Sequence, residues 1–261
     1  MLKINRTIAF TFILFTSILY SCDRPIHKLK QVVKTVSARQ IPKNEKKKQA
    51  WVFNQYKDYV FGIDFSHHQA LVSWDKIKSF NNKKVISFAI VRATMGTKRK
   101  DNYFTHNWRF AKKYKIIRGA YHYYRPDENS TQQANNYIKN VKLQIGDLPP
   151  ILDIEKTSKR QSIANLKIGL KNWLNIIEKH YGVKPIIYSG DKFYSTYLKT
   201  RDFKDYTIWI ANYNNIRQPK VKGWSFWQFS EQGKVKGING YVDLNVFKGN
   251  KKELTKLRLL K

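Results

Sequence analysis

The chain has 261 residues, 42% of them hydrophobic and 15% aromatic, with a formal charge of +32. This composition excludes a disordered or fibrous chain and suits one globular domain of barrel size. The two ends, 1–50 and 251–261, hold 16 Lys/Arg against three acids, so 51–250 keeps a formal +19 and is itself basic. Such a surface favours a polyanion, whether nucleic acid, anionic lipid or an acidic wall polymer, and names only that class of partner.

Residues 1–22 read as an export address. Lys3 and Arg6 precede a 13-residue apolar run, Ile8 to Tyr20, long enough for the core of a signal sequence and short for a membrane-spanning helix. It stops at Leu19-Tyr20-Ser21-Cys22, and Cys22 is the only cysteine, so an intramolecular disulfide is excluded. The segment resembles a bacterial lipoprotein signal, which implies cleavage before Cys22 and lipidation of that residue. Tyr20 is bulkier than the usual residue at its position in such signals. The expected location is the cell envelope, with membrane contact only through the lipid; with an ordinary signal the protein is secreted instead. From 23 to 50 Lys and Arg recur, Lys46-Lys47-Lys48 in a row, without a sustained apolar period, so a basic flexible tether is expected.

The domain proper is expected over 51–250. Tyr59 to Ser66 reads as a first strand, followed by His67-His68-Gln69 and a short helix from Ser73 to about Phe80. Val85 to Val91 is a second strand, apolar on both faces. A helix over Asn102 to Tyr114, a strand over Ile116 to Tyr124 and a polar helix from Ser130 to Lys142 come next. Pro149-Pro150 then rules out an interior helical turn before the fourth strand, Ile151-Leu152-Asp153-Ile154-Glu155. Ser162 to His180 carries Ile163, Leu166, Leu170, Trp173, Leu174 and Ile177 on one helical face, Gly182 ends it, and Lys184 to Ser189 is a fifth strand. Thereafter Tyr206–Tyr213, Trp224–Ser230 and Tyr241–Phe247 are three more strands joined by turns, and 251–261 is a basic tail with Leu254, Leu257 and Leu260 at helical spacing. The fold class is α/β: a modified TIM-like barrel, five β/α units followed by three strands.

Residues two apart on a strand share a face, so Asp153 and Glu155 point the same way, their Cα atoms roughly 6.5 to 7 Å apart. Each carboxylate raises the pKa of the other, which suits a general acid beside an ionised partner. Other strand ends agree: Asp64 on the first, Tyr121 and Tyr123 on the third, Tyr188 on the fifth, Trp209 and Tyr213 on the sixth, Trp227 and Gln228 on the seventh, Asp243 on the eighth. Barrel chemistry sits at those ends. Four carboxylates ringed by aromatics suit a sugar, since rings stack on pyranose faces and an acid protonates the glycosidic oxygen.

Seven motifs, in order, carry a resemblance: Gly62-Ile63-Asp64-Phe65-Ser66, Tyr121-His122-Tyr123, Leu152-Asp153-Ile154-Glu155, Pro185-Ile186-Ile187-Tyr188-Ser189, Trp209-Ile210-Ala211-Asn212-Tyr213, Trp227-Gln228-Phe229-Ser230 and Val242-Asp243-Leu244-Asn245. From Phe61 to Phe247 the chain resembles the glycoside hydrolase family 25 lysozymes. The resemblance implies cleavage of the β-1,4 bond between N-acetylmuramic acid and N-acetylglucosamine in peptidoglycan. It makes Glu155 the acid/base, Asp153 its stabiliser or nucleophile, and Asp64 and Asp243 the further site aspartates. Tyr121, Tyr123, Tyr188, Trp209, Tyr213 and Gln228 fall where the family lines its sugar groove. His67-His68-Gln69 and the basic domain depart from the pattern.

No cofactor is expected. His67 and His68 lack an H-E-x-x-H helix and a third clustered ligand, so no metal is expected either. No recognisable nucleic-acid motif accompanies the charge, which points instead to anionic envelope polymers, and a monomer is expected. The competing function is a non-catalytic peptidoglycan-binding lipoprotein on the same fold.

Overall fold

The computed structural model describes residues 40–260, apart from 78, 81–83 and 215–216. The signal segment 1–22, with Cys22, and residues 23–39 lie outside the described residues.

Eight strands close a barrel. They are β1 (Val60–Phe65), β3 (Lys84–Met95), β5 (Ile117–Tyr123), β6 (Ile151–Asp153), β7 (Ile186–Gly190), β8 (Thr207–Ala211), β9 (Phe226–Gly233) and β10 (Val242–Phe247). Neighbours from β1 round to β9 run parallel; β10 is antiparallel to both β9 and β1, and its pairing with β1 closes the ring. Two-residue strands β2 (Ser79–Phe80) and β4 (Arg99–Lys100) pair with β3 outside the ring.

The period of two sorts the side chains. Phe88, Ile90, Ile151, Tyr188, Trp209, Phe226 and Phe247 pack together as one interior cluster, whereas Ala89, Val91, Leu152, Ile187, Ile210 and Val246 face outward into the helix layer. Gly62 is what lets the Phe88 ring fill the barrel, since a Cβ there would lie 2.3 Å from it. The bottom is closed by α5 (Lys251–Leu257), whose Leu254 is fully buried in the interior cluster.

Three helices cover the outside: α2 (Phe104–Lys113), α3 (Ser130–Asn140) and α4 (Ile163–Tyr181). Helix α4 is the longest, with Ser162 accepting the Asn165 N–H as its N-cap and Gly182 at φ 68° as its left-handed stop. It buries Leu166, Leu170, Trp173, Leu174 and Ile177, each worth about 1.5–3 kcal/mol of apolar burial.

Two expectations are corrected. The helix from Ser73 to Phe80 is a single 3-10 turn, Trp74–Lys76, followed by β2. Ser73 makes no side-chain cap, Trp74 is drawn into the core, and the chain turns to pair with β3. The tether does not extend to residue 50, because α1 (Lys43–Gln55) packs against the barrel. Its buried face, Glu45, Lys48, Gln49 and Val52, is mostly polar, which is why no apolar period marks it. Glu45 and Lys48 pair at 2.7 Å, and Gln49 Nε2 donates to Ser230 Oγ at 3.1 Å and to the Gln232 carbonyl at 3.3 Å on β9.

Candidate active site

The C-terminal rim of the parallel strands forms a cup. On β6, Asp153 faces inward, Ile154 turns outward into the helix layer, and Glu155 stands at the mouth. The Ile154 amide bonds the Tyr188 carbonyl at 3.0 Å and Ser189 Oγ donates to the Ile154 carbonyl at 2.7 Å, so the strand is held just past its last ladder residue. Glu155 borders open solvent and a cavity of about 380 Å³ shared with Tyr188, Asp191, Asn212 and Tyr213. Burial within the cup raises its pKa, offset by Lys156 and by hydrogen bonds with Tyr123 and Tyr188. Burial and the two nearby carboxylates push the Tyr123 hydroxyl up to about 12, so it stays a donor.

Asp153 sits deeper. Burial first, then the charges of Glu155 and Asp64, hold its carboxyl well above the usual range, against the pull of Arg92. Its Oδ1 is buried and has no hydrogen-bond partner among the described residues. A buried acceptor left open at the floor of a cup is aimed at whatever enters it.

Asp64 and Asp243 face each other across the β1–β10 seam as register partners. Because β10 is reversed, Asp243 stands near its N-terminal end and still reaches the same rim. Asp64 Oδ2 accepts from Gln228 Nε2 at 2.7 Å and Asn245 Nδ2 at 2.6 Å. Burial lifts Asp64 to about 6, while these amides and Asp243 favour its anion. Asp243 is pushed well above the ordinary range by burial, by the Asp64 charge and by its hydrogen bond to Asp64. Burial and the mutual charge raise both carboxyls, so the two titrate as a pair that holds a proton more readily than a solvated acid.

Aromatic and amide groups tie these acids together. Tyr188 Oη donates to Gln228 Oε1 at 2.8 Å, Tyr213 Oη donates to the same oxygen, and Trp209 Nε1 donates to Asn245 Oδ1 at 2.8 Å. Trp209 is 2% exposed and meets Tyr188 edge-on at 4.5 Å, so it forms the floor under that ring. Tyr213 is 40% exposed, with Lys48 Nζ over its ring at 6.0 Å from the centroid, and Tyr121 and Tyr123 are half-buried in the wall.

Residues 63–238 match the family described as Glycosyl hydrolases family 25. The chain belongs to glycosyl hydrolase family 25. It is 40% identical over 198 residues to the protein YegX of Escherichia coli K12, covering 75% of this chain and 72% of that one. Lysozyme M1 of Streptomyces globisporus is 33% identical over 213 residues, 76% of this chain and 71% of its own. A family 25 glycosyl hydrolase from Bacillus anthracis superposes with a TM-score of 0.70 at 30% identity, over 78% of this chain and 95% of that chain.

This family 25 hydrolase brings ten of the eleven strand-end residues singled out in the sequence to one end of the barrel; the eleventh, Trp227, alternates with Gln228 and faces outward into the helix layer, its Nε1 donating to the Asn212 carbonyl at 2.9 Å, and Cys22 lies outside the described residues. Three neighbours escaped the sequence reading. Arg92 follows Ile90 by two, the next inward position on β3, yet the apolar run before it drew the strand boundary at Val91. Asn245 follows Asp243 by two on β10 and anchors Asp64. Asp191 accepts from Lys220 N at 2.9 Å, Val221 N at 3.1 Å and the Asn212 amide, fixing the loop that carries Tyr213; only its position after a strand end could have marked it. His67 lies beside Arg92 and Asp101 at the rim, and burial and Arg92 lower its pKa.

Proposed function

We propose that the protein is a muramidase that hydrolyses the β-1,4 bond between N-acetylmuramic acid and N-acetylglucosamine in peptidoglycan, with Glu155 as acid and then base. The reading is carried by the convergence of Asp64, Asp153, Glu155 and Asp243 in one aromatic-walled cup. Glu155, raised in pKa yet open to the cavity, can hold a proton for the leaving oxygen as the sugar becomes oxocarbenium-like. The substrate's own 2-acetamido oxygen then attacks the anomeric carbon, and Asp153 Oδ1 receives the acetamido N–H. Arg92 alone opposes the burial and the Glu155 and Asp64 charges that favour protonated Asp153, and Oδ1 accepts the N–H as the unprotonated oxygen of that carboxyl. Water, deprotonated by the Glu155 carboxylate, opens the cyclic intermediate, and two inversions give net retention. Asp64, held by two amides, supplies a fixed negative field beside the developing cation. Tyr121, Tyr123, Tyr188 and Tyr213 contact the glycan, and Trp209 acts through Tyr188.

The test is mass spectrometry of borohydride-reduced products after incubating peptidoglycan with the protein. Disaccharide-peptides ending in reduced N-acetylmuramic acid are expected. Ends carrying reduced N-acetylglucosamine would overturn the bond assignment, and binding without release would favour the non-catalytic reading. Such a substrate implies export, and we read Cys22 as the lipidated anchor. Cys22→Ser should move the protein from the membrane to the soluble fraction; unchanged partition would exclude the anchor.

A further inference from the structure

Beside the catalytic cup lies a second cavity, of about 280 Å³, lined by His67, Arg92, Met95, Arg99, Lys100, Asp101 and Asn102. Its charge is one-sided: three cations face one carboxylate, and that carboxylate is already committed. Asp101 Oδ2 takes Arg92 Nε at 3.1 Å and the His67 amide at 2.8 Å, while Oδ1 takes the Tyr103 amide at 3.0 Å. Among the described residues Arg99 and Lys100 have no ion-pair partner. The wall is rigidly held. Asn136 Nδ2 of α3 donates to the Gly96 and Arg99 carbonyls at 2.8 and 3.2 Å, the Thr97 amide bonds Glu128 at 2.7 Å, and β4 pairs with β3 at Met95 and Thr94. With Arg92 held by Asp101, the two cations of this wall that lack such a partner, the exposed Arg99 and Lys100, are left free to meet an anion.

The pocket is also continuous with the chemistry. Arg92 pairs in register with Tyr121, one strand from β6, and its guanidinium acts on both Tyr121 and Asp153. Strand spacing of about 4.8 Å puts β3 about 10 Å from β6, less than the span of two sugar rings. At that spacing a carboxylate hanging from a glycan in the cup lies close enough to enter this cavity.

We propose that this cavity is an anion subsite that takes a carboxylate carried by the muramic acid unit, with Arg99 and Lys100 as its ligands and Arg92 linking it to the acid pair. The proposal rests on the muramidase reading above and adds its specificity. Two carboxylate sources fit, the free lactyl ether of a peptide-less muramic acid and the acidic residue of a stem peptide. Three soluble glycans separate them: one with free lactyl carboxylates, one with the lactyl groups converted to neutral methylamides, and one bearing a dipeptide that ends in a carboxylate. The expected result is a kcat/KM lower by about tenfold on the methylamide than on at least one of the anionic glycans, the better one identifying the source. In the Arg99→Gln/Lys100→Gln variant, altered only at exposed side chains, that ratio should collapse towards one. Equal turnover of all three glycans by the unaltered protein, or a ratio unchanged in the double variant, overturns the subsite and leaves the muramidase reading intact. Cleavage of none of the three overturns the muramidase reading and the subsite with it.

Discussion

Glu155 and Asp153 stand two residues apart on one strand, and their surroundings divide their roles: one opens to the cavity, the other is buried with a vacant oxygen. Glu155→Gln keeps an oxygen to accept from Tyr123 but removes the proton. Turnover of peptidoglycan should fall by about 10²–10⁴-fold while the protein still pellets with the wall. Retention of about a tenth of the activity or more would assign the acid elsewhere. Asp64 gives a second test, in stability. Its carboxyl rises from 3.8 to about 6 on folding, so between those values the native state binds the more protons. Stability therefore falls as pH rises through that window, by up to about 3 kcal/mol from this group. Asp64→Asn keeps an acceptor for Gln228 and Asn245 and cannot titrate. In urea unfolding the variant should gain on the native protein between pH 4 and pH 7; a constant difference would mean that Asp64 is not the group carrying the proton linkage. Both acids were legible from the sequence, because an acid closing an apolar strand is conspicuous. Arg92 was not, since its role depends on which face of a fully buried strand it continues, and an apolar run does not print that.

Helix α1 shows the same limit in a whole element. Strands β1 to β10 of the ring and helix α4 announce themselves through apolar periods of two and 3.6, flanked by caps and prolines. The face α1 buries is a hydrogen-bonded network instead: Glu45 with Lys48, Ser230 bonded to Glu45, Gln49 to β9, and Lys48 Nζ to the Tyr213 carbonyl at 3.3 Å. Composition reads such a stretch as solvated. It also lies outside the matched residues 63–238, and it buttresses the loop carrying Tyr213. Both members of the Glu45–Lys48 pair are under 10% exposed, and breaking such a pair leaves an uncompensated charge. Lys48→Met should cost about 3–5 kcal/mol, visible as a drop in Tm of roughly 6 to 20 °C. Adding Glu45→Gln should restore more than half of it. A double variant no more stable than the single one would show that the pair is not the unit that matters. A chain begun at Trp51, where the sequence sets the domain boundary, discards the network and should melt below one begun at Gln40.

At the scale of the whole molecule two charge patterns are superimposed. The cup gathers four carboxylates, while residues 51–250 as a whole, those four included, still carry a formal +19. The two act at different ranges. Attraction between the basic exterior and acidic wall polymers works across solvent, where salt screens it over about 8 Å at physiological ionic strength. The fields on Asp153 and Asp64 act within buried surroundings, where salt penetrates little. Raising salt from about 50 to about 300 mM should therefore weaken binding to intact walls by at least about tenfold, while kcat on short soluble glycans moves by less than about threefold. Walls stripped of their acidic polymers separate the contributions: against them the salt dependence should flatten, because the long-range partner has gone and only the cup and its neighbouring cavity remain. If kcat on short glycans falls in step with wall binding, the exterior charge is acting at the cup itself, and the division between a basic surface that recruits and an acidic cup that cleaves does not hold.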